Sequence, residues 1–103
     1  MSQQLSSVVV VATFKAQPGK EQELLATLPQ VVRDTHELDE GCLTYEVSRG
    51  IDDPTSFVAY EVWASQQALD QHLHSPHFTQ WLSSVQSLMI GSIEPMPFLR
   101  PIA

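Results

Sequence analysis

Hydrophobic and polar positions change period several times along this chain, and each change marks an element. From Val8 to Ala16 the run "VVVVATFKA" is apolar and β-branched at consecutive positions, the pattern of a strand covered on both faces. "QPGKE" (17–21) breaks it and opens a helix, with Pro18 near the first turn, where a missing N–H matters least. Leu24, Leu25, Leu28, Val31 and Val32 follow at helical spacing as an inward stripe. Pro29 falls inside that stripe and should kink the helix, because it removes one backbone hydrogen bond. "DEGCLTYEVSRG" (39–50) and "SFVAYEVWA" (56–64) read as two strands joined through "IDDPT", a turn rich in Asp and Pro.

Ser65 is placed to cap a short helix, and Ser75-Pro76 supplies a second cap with proline at the first helical position. Phe78, Trp81, Leu82, Val85, Leu88 and Met89 then repeat at helical spacing as a buried face. After Gly91 the chain reads extended, and the prolines of "EPMPFLRPI" (94–102) suit an edge strand or a tail. The order β-α-β-β-α-β is the ferredoxin-like arrangement of an α+β fold. In the strand at 56–64, Val58, Tyr60 and Val62 share one face, while Phe57, Ala59 and Trp63 share the other. Both faces are apolar, yet the helices can cover only one. The simplest cover for the other is a second copy of the chain, which predicts a homodimer.

A length of 103 residues leaves room for one domain, 1–103, with 1–6 as a flexible N-terminus. Five basic residues against twelve acidic ones give a net charge of −7. The basic residues are scattered, so neither nucleic acid nor an anionic membrane surface is an expected partner. "VVVVA" (8–12), the longest apolar run of note, is far short of a membrane span, and "MSQQLSS" lacks the features of a signal peptide. A cytoplasmic location fits these features. Cys42 is the sole cysteine, which excludes an intrachain disulfide and a cysteine-rich metal site.

The candidate chemistry lies mainly in "ALDQHLHSPHF" (68–78), which holds His72, His74 and His77. Helical spacing puts His72 on the buried stripe with Ala68 and Leu69, and turns His74 to water. His77 occupies the second position of the next helix, one turn before Trp81. Imidazoles suit several transition metals, but a proline-capped break divides the string and no cysteine or well-placed acid completes a ligand set, so no metal is expected. The positive end of a helix dipole favours neutral imidazole at His77, which can then take a phenolic proton or stabilise an oxyanion. On spacing alone, local hydrogen bonding at the helix start is the favoured account of His77, as core packing is of His72. Trp63 can stack on an aromatic ligand, and Glu61 shares its strand face. Tyr45 and Tyr60 can donate to a ligand oxygen. Trp81 reads as packing.

"ATFKAQPGKEQELL" (12–25), "EGCLTYEV" (40–47), "FVAYEVWASQQALDQHLHSPHF" (57–78) and "SLMIGSIEPMPFLRPI" (87–102) resemble antibiotic biosynthesis monooxygenase (ABM) domains, including quinol monooxygenases. The resemblance implies a dimeric α+β barrel with a pocket between each subunit's sheet and its helices. It also implies oxygenation of a small aromatic quinol or polyphenol by O2 with no cofactor. By the same resemblance, His77 would be proton acceptor or anion stabiliser and His72 a second polar contact. Trp63 would bound the aromatic ring, with Tyr60, Tyr45 and Glu61 as further contacts. "VVVVATFKA" lacks the strand asparagine of haem-degrading relatives, so haem is not expected. The family also holds an isomerase of a phosphorylated autoinducer, for which this chain has few cations. That isomerase reading and a non-catalytic dimeric ligand-binding module are the alternatives.

Overall fold

The computed structural model describes residues 6–102. Of the flexible stretch expected at 1–6, all but Ser6 lies outside the described residues. The N-terminal apolar run forms β1 (Val8–Lys15), and a turn at Pro18-Gly19 leads into α1 (Glu21–Leu38). Gly19 adopts φ +82°, a left-handed conformation that glycine enters without steric cost. Pro18 therefore belongs to this turn and not to the first helical turn. α1 continues through Pro29, which lies on the exposed side of the helix, where water can satisfy the carbonyl left unpaired.

Strands β2 (Cys42–Arg49) and β3 (Ser56–Trp63) form a hairpin, followed by α2 (Gln66–Leu73) and α3 (Pro76–Val85). Both short helices begin as their sequences predict: Ser65 Oγ accepts from Ala68 N–H at 3.1 Å, and Ser75 Oγ accepts from Phe78 N–H at 3.4 Å. A 3₁₀ turn (Gln86–Leu88) ends the helical part, and only Glu94–Pro95 of the proline-rich tail forms a strand, β4. The sheet runs β2-β3-β1-β4 with every pairing antiparallel, the ferredoxin-like topology expected from the element order. No helix among the described residues is long and apolar enough to cross a membrane.

Period-two alternation divides the sheet into two unlike faces. Val8, Val10, Ala12 and Phe14 of β1 join Tyr45 of β2 and Phe57, Ala59, Glu61 and Trp63 of β3 beneath the helices. Leu24, Leu28 and Val31 of α1, Leu69 of α2 and Val85 of α3 pack down on them. Phe14 and Phe57, directly paired across β1 and β3, stack at 5.3 Å in this layer and add to the register set by the backbone ladder. On the opposite face Val58 and Tyr60 are 39% and 45% exposed, beside half-buried Val9, Val11 and Val62. Within one chain, β1 is thus fully covered on one face only.

Gly41 brings β2 close to α2, since a Cβ at this position would collide with the Cβ of Ala68. A larger residue would push the Asp39–Gly41 loop away from α2. His72 lies one helical turn beyond Ala68, so this close approach sets the distance between Asp39 and His72.

Candidate functional site

A cavity of about 430 Å³ lies between the covered face of the sheet and the helices, within the size range of small-molecule pockets. Its floor is formed by Val10, Ala12, Phe14, Tyr45, Ala59 and Glu61, and its helical wall includes Leu28, Leu69, His72, Phe78 and Trp81. Gly91, Ser92, Ile93, Pro95 and Phe98 close one side. The lining is overwhelmingly apolar. Phe78, Trp81 and Leu82, which the helical stripe marks as buried, are only half-buried because they face this open space and not solid core.

Glu61 and Trp63 stand two residues apart on β3 and so point the same way. The Trp63 indole N–H donates to Glu61 Oε1 at 3.0 Å. Glu61 is 7% exposed, and burial pushes its carboxyl up to about 7, an effect that the indole hydrogen bond only partly opposes. It therefore exchanges its proton near neutral pH. Tyr45, 4% exposed, is held protonated by burial and then by the nearby Glu61 carboxylate.

His72 forms the cavity wall above these groups. Its ring lies 4.6 Å from Trp63, 4.6 Å from Phe78 and 5.4 Å from Tyr45, an aromatic cage that allows little rotation. His72 Nδ1 meets Asp39 Oδ2 at 2.6 Å, and His77 Nε2 meets the same oxygen at 3.0 Å. An ionised carboxylate only accepts, so both nitrogens donate. Ser75 Oγ lies 3.3 Å from His77 Nε2 and donates to the His72 carbonyl at 2.6 Å, tying the helix junction to the same cluster. Burial lowers the His72 pKa below the usual imidazole range, the hydrogen bond and charge of Asp39 act the other way, and His77 adds to the lowering.

The expected residues are thus only partly brought together. Glu61, Tyr45 and His72 line the cavity, whereas Trp63, with 0% exposure, backs both Glu61 and His72 from behind. His77 is not among the lining residues; it stands behind His72, joined to it through Asp39. Tyr60 points from the other face of the sheet and does not share the site. His74 faces water, as helical spacing predicts. Trp81, read from sequence as packing, lines the cavity and donates its indole N–H to Thr27 Oγ1 at 2.9 Å. The sequence reading missed Asp39. It lies 33 residues before His72, and its nearest sequence signal is its position just ahead of Gly41.

Asp39, His72 and His77 also form a set of potential metal ligands, with donor atoms within 4.8 Å of one another. The expectation that no acid accompanies the histidines therefore fails: the chain fold supplies one. As arranged, both imidazole protons are already directed at one carboxylate oxygen, so an ion would have to displace both hydrogen bonds to bind. The geometry is that of a hydrogen-bonded triad. The Cys42 thiol is pushed up to about 11, first by burial and then by Asp39 and Glu61, which leaves it protonated and a poor nucleophile.

Comparison with known proteins agrees with this architecture. The family model described as antibiotic biosynthesis monooxygenase matches residues 7–83. "Putative monooxygenase Rv0793" of Mycobacterium tuberculosis is 31% identical over 84 residues, covering 82% of this chain and 81% of that protein. "Uncharacterized protein sll1783" of Synechocystis is 29% identical over 87 residues, 84% of this chain but only 58% of its own length. Among solved structures, a conserved protein from Methanosarcina mazei Go1 superposes with a TM-score of 0.87 at 26% identity, covering 96% of each chain. With the family model spanning residues 7–83, most of its length, and its fold superposing on solved structures, the chain belongs to the antibiotic biosynthesis monooxygenase family.

Proposed function

We propose that this protein is a cytoplasmic, cofactor-independent monooxygenase that oxidises a small, uncharged aromatic quinol or polyphenol with O2. The observation that carries this reading is the apolar 430 Å³ cavity with His72 and Glu61 in its wall, an imidazole that burial keeps from protonating and a carboxyl that burial pushes up to about 7. Among the described residues no lysine or arginine lines the cavity, and the chain carries a net charge of −7, so an anionic or phosphorylated substrate would lack a counter-charge. Phe14, Phe78 and Trp81 supply flat surfaces for an aromatic ring.

In this reading neutral His72 accepts a phenolic proton, and the electron-rich quinolate passes electrons to O2. A ring carbon forms a bond to oxygen, and the resulting peroxide anion takes the proton back from His72, giving a hydroperoxide. Protonated Glu61 donates to the outer oxygen, which leaves as water as the O–O bond breaks, and the Glu61 carboxylate then takes the ring C–H proton, leaving a carbonyl. Quinol plus O2 gives hydroxyquinone plus water; the substrate supplies all four electrons and no external reductant enters. The base expected at His77 moves to His72, the imidazole that lies against the cavity. The apolar outer face of β1 and β3, with Val9, Val11, Val58, Tyr60 and Val62, supports the homodimer that the sequence predicts.

The test is oxygen uptake by EDTA-treated protein with a panel of hydroquinones, corrected for autoxidation. Wild type should consume O2 and release hydroxyquinone. His72→Ala should lower kcat by about a hundredfold or more at unchanged oligomeric state. Saturable quinol binding without any uptake would overturn the oxygenase reading in favour of a binding module.

A further inference from the structure

Two members of the triad, Asp39 and His77, have no part in the chemistry described so far, although with His72 they form one of the most buried polar clusters among the described residues. Asp39 and His72 side chains are 9% and 1% exposed, and His77 is 12% exposed. Three chain segments converge there: the end of α1 before β2, the last turn of α2, and the first turn of α3. A carboxylate placed among rings at this depth loses hydration that only its hydrogen bonds replace. Both imidazoles converge on the single oxygen Oδ2.

We infer that Asp39 is the positioning residue of this site: it holds His72 as the Nδ1–H tautomer, so that the unprotonated Nε2 is the atom offered to the cavity, and it stabilises the imidazolium formed when Nε2 takes a proton. The inference rests on the reading of His72 as the base. His72 has two ring nitrogens, and the 2.6 Å contact commits Nδ1 to Asp39. The proton can then be taken up only at Nε2. His77 Nε2 holds the same Oδ2 at 3.0 Å, so Asp39 cannot swing away without breaking a second bond. Ser75 in turn fixes His77, through the 3.3 Å contact at Nε2. The charged and titratable groups around His72 are Asp39 from the α1–β2 junction, His77 from α3, Tyr45 from β2 and Glu61 from β3. Of these, Asp39 is the group whose carboxylate is hydrogen-bonded to the His72 ring.

The first experiment uses the wild-type protein alone. ¹⁵N–¹H correlation spectra of histidine-labelled protein at neutral pH should show His72 with its proton on Nδ1 and none on Nε2. A proton on Nε2 of neutral His72 would overturn the assignment whatever the substrate proves to be.

The second uses Asp39→Asn, which keeps an acceptor oxygen and the side-chain shape but removes the charge. Its His72 titration midpoint should fall by about one unit or more, a tenfold or larger change in proton affinity. With a quinol that wild type turns over, kcat should drop about tenfold or more, KM should stay within about threefold, and the acidic limb of the pH profile should move down with His72. Asp39→Glu should restore the titration in large part. A variant that only melts earlier, with the His72 midpoint and kcat per folded molecule unchanged, would show a structural role and overturn the proposal. If wild type shows the expected tautomer and titration but oxidises no quinol, the oxygenase reading fails while the positioning by Asp39 stands.

Discussion

Asp39 and Asp53 are both aspartates at the ends of loops that lead into or out of β2, and they are held in opposite ways. Asp53 satisfies itself locally: Oδ1 accepts from Thr55 N–H at 3.1 Å and from Thr55 Oγ1 at 2.6 Å, and Oδ2 accepts from Ser56 Oγ at 3.0 Å. Lys15 adds an ion pair at 3.1 Å in open solvent. The Thr55 hydroxyl hydrogen bond, followed by that from Lys15, holds the Asp53 carboxyl well below the usual carboxylate range. Asp39 has no such neighbours on its own loop; its partners are imidazoles 33 and 38 residues further along the chain. One aspartate shapes a turn, and the other joins three elements at a cavity wall. The difference is between a carboxylate whose bonds form whenever the hairpin forms and one whose bonds exist only in the finished fold.

That contrast can be broken most forcefully at Asp39. Asp39→Ala strips two buried imidazoles of their acceptor and should lower unfolding free energy by about 3 kcal/mol in urea titrations, on the scale of two hydrogen bonds to a charged group. A loss as small as that of an ordinary surface substitution would place Asp39 with Asp53.

Glu61 sharpens the comparison from the other side, since it is buried among apolar groups with a single indole donor. Its folded-state carboxyl lies at about 7, against 4.5 as the ordinary value. Folding therefore favours its protonated form: this contribution is complete below the ordinary value and is lost as pH rises to about 7. Stability should fall by about 3 kcal/mol across that window. Glu61→Gln should flatten this slope in melting curves collected between those pH values, and an unchanged slope would locate the titrating group elsewhere.

Asp53 defines the small end. Its depressed carboxyl contributes stability that is present above the ordinary carboxylate range and is lost as pH falls through it. Because the site is at the surface, Asp53→Ala should lower the melting temperature by no more than a few degrees at neutral pH. It should leave the His72 resonances where they are. Movement of those resonances would mean that the β2–β3 turn and the cavity wall communicate.

The two aspartates also mark how far the sequence can be read. The "DDPTS" cluster announces a turn because its donors and acceptors are neighbours in the chain. The helix caps at Ser65 and Ser75 and the element order are legible for the same reason: local periodicity and local hydrogen bonding generate them. The candidate site was half legible. Helical spacing put His72 inward and His74 outward, and strand alternation put Glu61 beside Trp63. Spacing gave no means of ranking His77 behind His72, because that depends on the angle between two short helices. Nor did it distinguish Trp81 as part of a cavity wall, since a stripe facing an open pocket and a stripe facing solid core look alike along a sequence.

Composition, periodicity and capping residues by themselves determined an acidic α+β chain with β-α-β-β-α-β order, a sheet apolar on both faces and histidines gathered around one helix junction. Only the tertiary structure decided that Asp39 meets His72 and His77 and that Trp63 supports the site from behind. The physical reason is range. Helical and strand periods act over a few residues, whereas the oxygen that binds both histidines is brought to them by the close approach of Gly41 to Ala68, a contact that exists only once the sheet and helices have packed.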